Sequence, residues 1–317
     1  MRHLDKPLAF VLLGLSAAVW ADNGQKGPSS GEGAPNRIDA SGGGTLAAPD
    51  RRTGSPLGIG FLWTLESQAV VSKLESEKDF VDLILGEGKL DVFEKVKPPV
   101  RVACIARSLE KADARPFPGV RETINTLRRA GVAPERVIIA YNPERQPGTP
   151  TQEMDDLVGS ARRAREIARA YGALLLVGPG LREMEQREDL YPELAKHCDI
   201  WLIQSQRLQL DPITRRPIEP ADYRAKVKRI VDRLCAGNPD IRIFVQVVTT
   251  SERGRSEMTA EQVVAYLRAV EDLVDTVRIY GGSRQLLSRI IEWRDGPAAG
   301  ASQPAGAPSE GVSSEPR

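Results

Sequence analysis

The chain has 317 residues, with 44 Lys and Arg against 43 Asp and Glu and a formal net charge of +1. So even a balance gives no electrostatic footprint for nucleic acid or an anionic membrane surface. The only histidines are His3, in the first 21 residues, and His197, just before the fifth apolar run and so away from the strand ends where a barrel does its chemistry, which excludes a His-built zinc centre and a Ser-His-Asp triad; the three cysteines show no metal-ligand spacing, and nothing in the sequence implies a metal or a redox cofactor.

Residues 1–21, "MRHLDKPLAFVLLGLSAAVWA", place Arg2 and Lys6 ahead of an apolar run from Leu8 to Trp20, with Val19 and Ala21 at the small-residue positions of a cleavage site. This predicts a secretory signal peptide and a secreted or periplasmic protein. The run is shorter than the ~20 residues that span a bilayer, so no membrane span is expected after cleavage. Residues 22–56 form a flexible linker rich in Gly, Ser, Pro and Ala, and residues 296–317 read as a disordered tail of similar composition. Residues 57–295 remain as one domain.

Within that domain, apolar, β-branched runs alternate with stretches of helical periodicity. In chain order the runs are "GIGFLW", "VRVACIA", "RVIIAY", "ALLLVG", "DIWLIQ", "IRIFVQVV" and "DTVRIYG". Continuous apolar runs suit parallel strands buried on both faces. Three intervening helices end in "RRAG", "RAYG" and "LCAG", where glycine is expected as a left-handed stop. With no Gly-rich dinucleotide fingerprint after the first strand, the pattern predicts an α/β fold, a TIM-like (β/α) barrel of seven or eight strands. Whether "KLDVFEKVK" supplies the eighth is open.

In a barrel, function gathers at the C-terminal ends of the strands. There the sequence places Trp63 and Glu66, then Arg107 and Ser108, then Tyr141, Asn142 and Glu144. Gln204, Gln206 and Arg207 follow the fifth run, Gln246, Thr249 and Thr250 close the sixth, and Tyr280, Gly281 and Gly282 follow the last. Strand alternation aims Asn142 and Glu144 at the mouth together, which makes Glu144 the leading candidate acid. Gln204, Gln206 and Gln246 carry amides that both donate and accept, suited to sugar hydroxyls. Trp63, Tyr141 and Tyr280 offer faces for stacking on a sugar ring, whereas Trp201 alternates away from Gln204 and is expected under the helices.

In "TPTQEMDD", Thr149 reads as an N-cap, Pro150 as the first helical residue and Gln152 as the partner in a capping box. Most of that acid cluster is therefore helix punctuation. Glu153, with Asp155 and Glu66 as alternatives, is the candidate second carboxylate. "RIYGGSRQ" raises a rival, a phosphate site at Gly281, Gly282 and Arg284, against the reading of a tight turn capped by Ser283. Cys198 and Cys235 fall at the bottom of neighbouring units, and in an exported protein they are expected to form a disulfide. Cys104 lies mid-strand as a buried thiol.

"IIAYNPE", "PGTPTQE", "IWLIQSQ" and "FVQVVTT" resemble a group of exported bacterial barrel proteins of unestablished function, broadly similar to glycoside-hydrolase-like TIM barrels, over about Val100 to Gly282. The resemblance implicates Tyr141, Asn142, Glu144, Thr149, Pro150, Glu153, Gln204 and Gln206. Asn142 stands where that group often has Asp, so an acid pair at Asn142 and Glu144 is absent. The expectation is an exported barrel that binds a carbohydrate and, in its catalytic version, hydrolyses it with Glu144 and Glu153. The alternatives are a non-catalytic carbohydrate-binding or cell-envelope module and a phosphate-ester-binding barrel.

Overall fold

The structure is a computed structural model that describes residues 57–85, 89–110, 117–145, 148–214, 216–251 and 256–296. The expected signal peptide (1–21), the expected linker (22–56) and the segment beyond residue 296 lie outside the described residues.

Eight parallel strands close a barrel: β1 (Gly58–Leu62), β2 (Phe80–Leu83), β3 (Arg101–Ala106), β4 (Val137–Tyr141), β5 (Leu174–Val177), β6 (Ile200–Ile203), β7 (Arg242–Val248) and β10 (Thr276–Tyr280). Between the last two, β8 (Thr250–Ser251) and β9 (Ser256–Glu257) form a small antiparallel hairpin above the barrel. The barrel order is β1-β10-β7-β6-β5-β4-β3-β2, so each strand after β1 pairs with its predecessor in the barrel and β10 closes on β1. This is the TIM-type barrel that the alternating runs predict. Its eighth strand is "FVDL", whereas "KLDVFEKVK" contains the short helix Val92–Lys95.

The principal helices are α1 (Val120–Arg129), α2 (Leu157–Tyr171), α3 (Pro220–Gly237), α4 (Ala260–Val270) and α5 (Arg284–Asp295). Their apolar stripes pack on the outward residues of the strands, while Phe80, Ala103, Ile138, Ala140, Leu176, Ile200, Leu202 and Phe244 fill the barrel itself. Phe80 and Phe244 stack across the interior with centroids 5.0 Å apart. The missing side chain at Gly60 makes room for that stack, because a Cβ there would lie 2.1 Å from the Phe80 ring.

The bottom of the barrel is pinned by a repeated device. Asp79, Asp199 and Asp275 each precede a strand, and each accepts a backbone amide from the strand beside it: Ile59 at 2.8 Å, Leu175 at 2.8 Å and Ile243 at 2.7 Å. Hydrogen bonds to a charged acceptor contribute about 1.5–3 kcal/mol each. Asp79 also pairs with Arg294 at 2.7 Å, which ties α5 to the foot of β1 and β2.

Two of the three glycine stops behave as expected: Gly131 and Gly172 have φ of +67° and +91°. Gly237 does not. It is the last residue of α3, and a Cβ there would meet the Pro192 carbonyl oxygen at 1.9 Å, so close packing against the helix Tyr191–Ala195 requires it. The expected disulfide is also corrected, since no disulfide joins Cys198 and Cys235. Cys198 is fully buried, with its Sγ turned to the Leu194 carbonyl of that same helix at 3.6 Å.

Candidate functional site

The inward residues of the upper barrel become polar as the strands end. Asn142 leaves β4, Gln204 leaves β6, Gln246 sits in β7 and Arg278 in β10, all buried. Asp82 joins them from β2, on the strand that the sequence pattern does not reveal.

Glu144 is the centre of one network. Its Oε2 takes the Arg107 guanidinium, and its Oε1 faces the Gln204 amide at 3.1 Å and the Asn142 amide at 3.4 Å. Gln204 Nε2 also lies 2.7 Å from both Asn142 Oδ1 and the Gly178 carbonyl, so two protons serve three acceptors. Arg107 stacks on Phe117, 4.4 Å from its ring centre. The pair is mostly screened from water, with side-chain exposures of 14% for Arg107 and 23% for Glu144.

Thr149 holds this arrangement and is not the expected N-cap. Its hydroxyl accepts the Glu144 amide at 2.8 Å and donates to the Arg107 carbonyl at 2.6 Å, joining the loops that carry the ion pair. The helix Thr151–Asp155 therefore starts after Pro150 with no side-chain cap. Asp156 interrupts it and caps α2 through the Gly159 amide at 3.0 Å.

Glu153 has another task. Its carboxylate accepts the Tyr141 hydroxyl at 2.9 Å and the Leu109 amide at 2.9 and 3.1 Å to its two oxygens. Burial raises its pKa above the usual carboxylate value. Tyr141 points outward from β4, has no exposed surface and cannot present a ring to a ligand. Burial first, and then the Glu153 charge, push its pKa well above the ordinary phenol value. Asp155 turns instead toward Arg145 at 3.6 Å, and Glu66 is exposed on the one-turn helix Leu65–Gln68.

A second network lies deeper. Arg278 pairs with Asp82 and donates to Gln246 Oε1. Burial raises the Asp82 pKa to about 6, against the opposing pull of Arg278. Asp82, Arg278 and Asn142 line one small cavity in the upper barrel. Tyr280 is half-buried at the rim, with the Arg278 guanidinium 5.6 Å from its ring centre.

The remaining sequence candidates are dispersed. Trp63 packs on the outer core with Lys95 5.9 Å from its ring centre, and Trp201 packs against Tyr191 under the helices. Gln206 is half-buried on the turn Ser205–Arg207. Gln209, which sequence reasoning passed over, is fully buried and bonds the Val248 amide and carbonyl, each at 3.0 Å, securing the end of β7. At the last strand end, Gly281 and Gly282 turn with φ of +86° and +102°. Ser283 caps α5 through the Leu286 amide, while the Glu257 carboxylate accepts the Ser283 amide and, at 3.0 Å, its hydroxyl. A carboxylate thus occupies the position expected for phosphate. Among the described residues, no group of three or more His, Cys, Asp or Glu is arranged to hold a metal, and no helix is long and apolar enough to cross a membrane.

No family model matches the chain, and no curated protein matches it. Among solved structures it is similar to the spore cortex-lytic enzyme SleL of Bacillus megaterium, at 7% identity over 74% of this chain and 73% of that one, with a TM-score of 0.49. A putative alpha-L-fucosidase from Bacteroides thetaiotaomicron gives 10% identity over 81% and 98%, with a TM-score of 0.47. The YdjI aldolase of Escherichia coli gives 12% over 77% and 83%, at 0.41. At these identities the likeness concerns the fold alone.

Proposed function

We propose that this protein is an exported barrel that binds a carbohydrate at its C-terminal mouth, with Glu144 as the central acceptor. The observation that carries the reading is the convergence of Arg107, Asn142, Glu144 and Gln204 from the ends of three strands into one bonded group. Amides and a carboxylate fixed in this way offer the mixed donors and acceptors that hydroxyls use. The charges also support a neutral ligand. Arg107 is matched by Glu144 and Arg278 by Asp82, so neither guanidinium is left to attract an anion. Export rests on the leader-like residues 1–21.

The test is a glycan-binding and hydrolysis screen of the full chain beside Glu144→Gln. Binding by the wild type that falls at least tenfold in the variant supports the reading. Binding that the substitution leaves unchanged removes Glu144 from the site.

Hydrolysis is the second reading, and Asp82 favours it. Glycoside hydrolysis uses two carboxylates, and Glu153 is held by Tyr141 and Leu109. Burial raises the Asp82 pKa to about 6, and Asp82 shares with Asn142 the lining of one cavity, which supports Asp82 as the proton-transferring partner of Glu144. Turnover in the screen, abolished by Asp82→Asn and by Glu144→Gln alike, would establish it, whereas binding without turnover would leave a binding module.

A further inference from the structure

Three buried polar atoms of the deeper network have no hydrogen-bond partner: Asp82 Oδ1, Gln246 Nε2 and Arg278 Nε. They belong to a single bonded cluster, because Arg278 joins the other two side chains. Each such atom left dry is costly, and native proteins leave few of them unfilled. Asp82 and Arg278 border the upper cavity, whose volume of about 10 Å³ has room for one water-sized group.

The chemistry of the three atoms is specific. One is a carboxylate oxygen that only accepts, and two are N–H groups that only donate. A bare cation would meet the two donors, and an anion would meet the carboxylate. A hydroxyl group both donates and accepts, and so satisfies the set.

We propose that Asp82, Gln246 and Arg278 form a subsite for one ligand hydroxyl at the floor of the mouth, filled by a water molecule when no ligand is bound. The subsite rests on the carbohydrate reading for the identity of the natural ligand, but its chemistry stands on the three atoms alone. Asp82 supplies the acceptor, Gln246 the donor from β7, and Arg278 holds both in place while donating through Nε. Asn142 borders the same cavity and connects it to the Glu144 network above.

The experiment is a high-resolution crystal structure of the full chain, ligand-free and after a methanol soak, with methanol as the smallest hydroxyl probe. Water bonded to the three atoms in the first crystal and a methanol oxygen in its place in the second are the expected results. Direct pairing of Asp82 Oδ1 with Gln246 Nε2 and no density between them would overturn the subsite, as would a water that methanol never replaces. In solution, Gln246→Met leaves Asp82 and Arg278 in place while removing the Nε2 donor together with the Oε1 that accepts from Arg278, and serves if Asp82→Asn does not fold. Either variant should bind a glycan found in the screen about tenfold more weakly. Unchanged glycan affinity in a folded variant overturns the subsite and leaves the carbohydrate reading standing. A screen without hits, beside a methanol oxygen seated on the three atoms, does the reverse.

Discussion

The Tyr141 hydroxyl lies 2.9 Å from Glu153, and the same carboxylate accepts the backbone amide of Leu109. The contact ties the outward face of β4 to the loop that follows β3, which is the loop on which Arg107 approaches Glu144. An acid that looks catalytic in the sequence is therefore a brace beneath the site. Glu153→Ala leaves a buried phenol and an amide without their acceptor and should lower stability by roughly 2–4 kcal/mol in urea unfolding. Glu153→Gln keeps one oxygen and should cost less. Because Glu153 bonds nothing in the Glu144 network, ligand affinity in the folded Gln variant should stay within about twofold of wild type. An effect on affinity as large as that of Glu144→Gln would return Glu153 to the site.

Asp82 gives a prediction in pH. Burial lifts its folded pKa to about 6, well above the ordinary aspartate value, so between pH 4 and 6 the folded chain holds a proton that the unfolded chain has released. Its contribution to stability is complete below that window and disappears as pH rises through 6, by up to about 3 kcal/mol. Paired carboxylates with depressed pKa values slope the other way, so the informative quantity is the difference between wild type and Asp82→Asn. Denaturant midpoints from pH 3.5 to 7.5 should show the wild type losing ground to the variant up to about pH 6 and running parallel above it. Parallel curves throughout would mean that folding leaves the Asp82 pKa at its ordinary value.

Asp82 also explains which part of the fold was legible. Seven strands announce themselves because they are buried on both faces and therefore read as unbroken apolar runs. The eighth, "FVDL", carries Asp82 where an apolar residue would have continued the run, and that acid exists because the interior is polar at this height. Asn142, Gln204 and Glu144 could be placed at the mouth because strand alternation fixes their direction. What linear spacing cannot convey is which acceptor a side chain finds across the barrel. Thr149 looked like a cap and bridges two loops, and Glu153 looked like a mouth residue and braces Tyr141.

The turn after β10 should not bind phosphate. Glu257 already accepts the Ser283 amide and hydroxyl, and Ser283 caps α5. Millimolar inorganic phosphate should leave the melting temperature of wild type and Arg284→Ala equally unmoved. Ser283→Ala should cost about 1 kcal/mol through loss of the cap. Phosphate protection that vanished in Arg284→Ala would revive the phosphate reading.

The thiols should behave as core atoms. Burial raises the Cys104 pKa to about 12 and pushes that of Cys198 higher still, so neither offers a thiolate near neutral pH. Alkylation of the native protein should spare both, and unfolding in guanidinium without reductant should release both for labelling. A Cys198–Cys235 peptide found under those conditions would restore the disulfide.

The interior stack makes the sharpest stability prediction. Gly60 faces Phe80, and a Cβ built there lies 2.1–2.5 Å from three ring atoms. The ring is not free to retreat, because Phe244 stacks on it with centroids 5.0 Å apart. Gly60→Ala must therefore displace one strand or the other, at a cost of about 3 kcal/mol or more. Phe80→Leu alone trades a ring for a smaller side chain and should cost a comparable amount through the void it leaves. In the double variant the methyl enters part of that void, so the two costs should fall short of their sum by at least ~1 kcal/mol in a double-mutant cycle. Additive costs would mean that the two residues do not share the space below the polar floor.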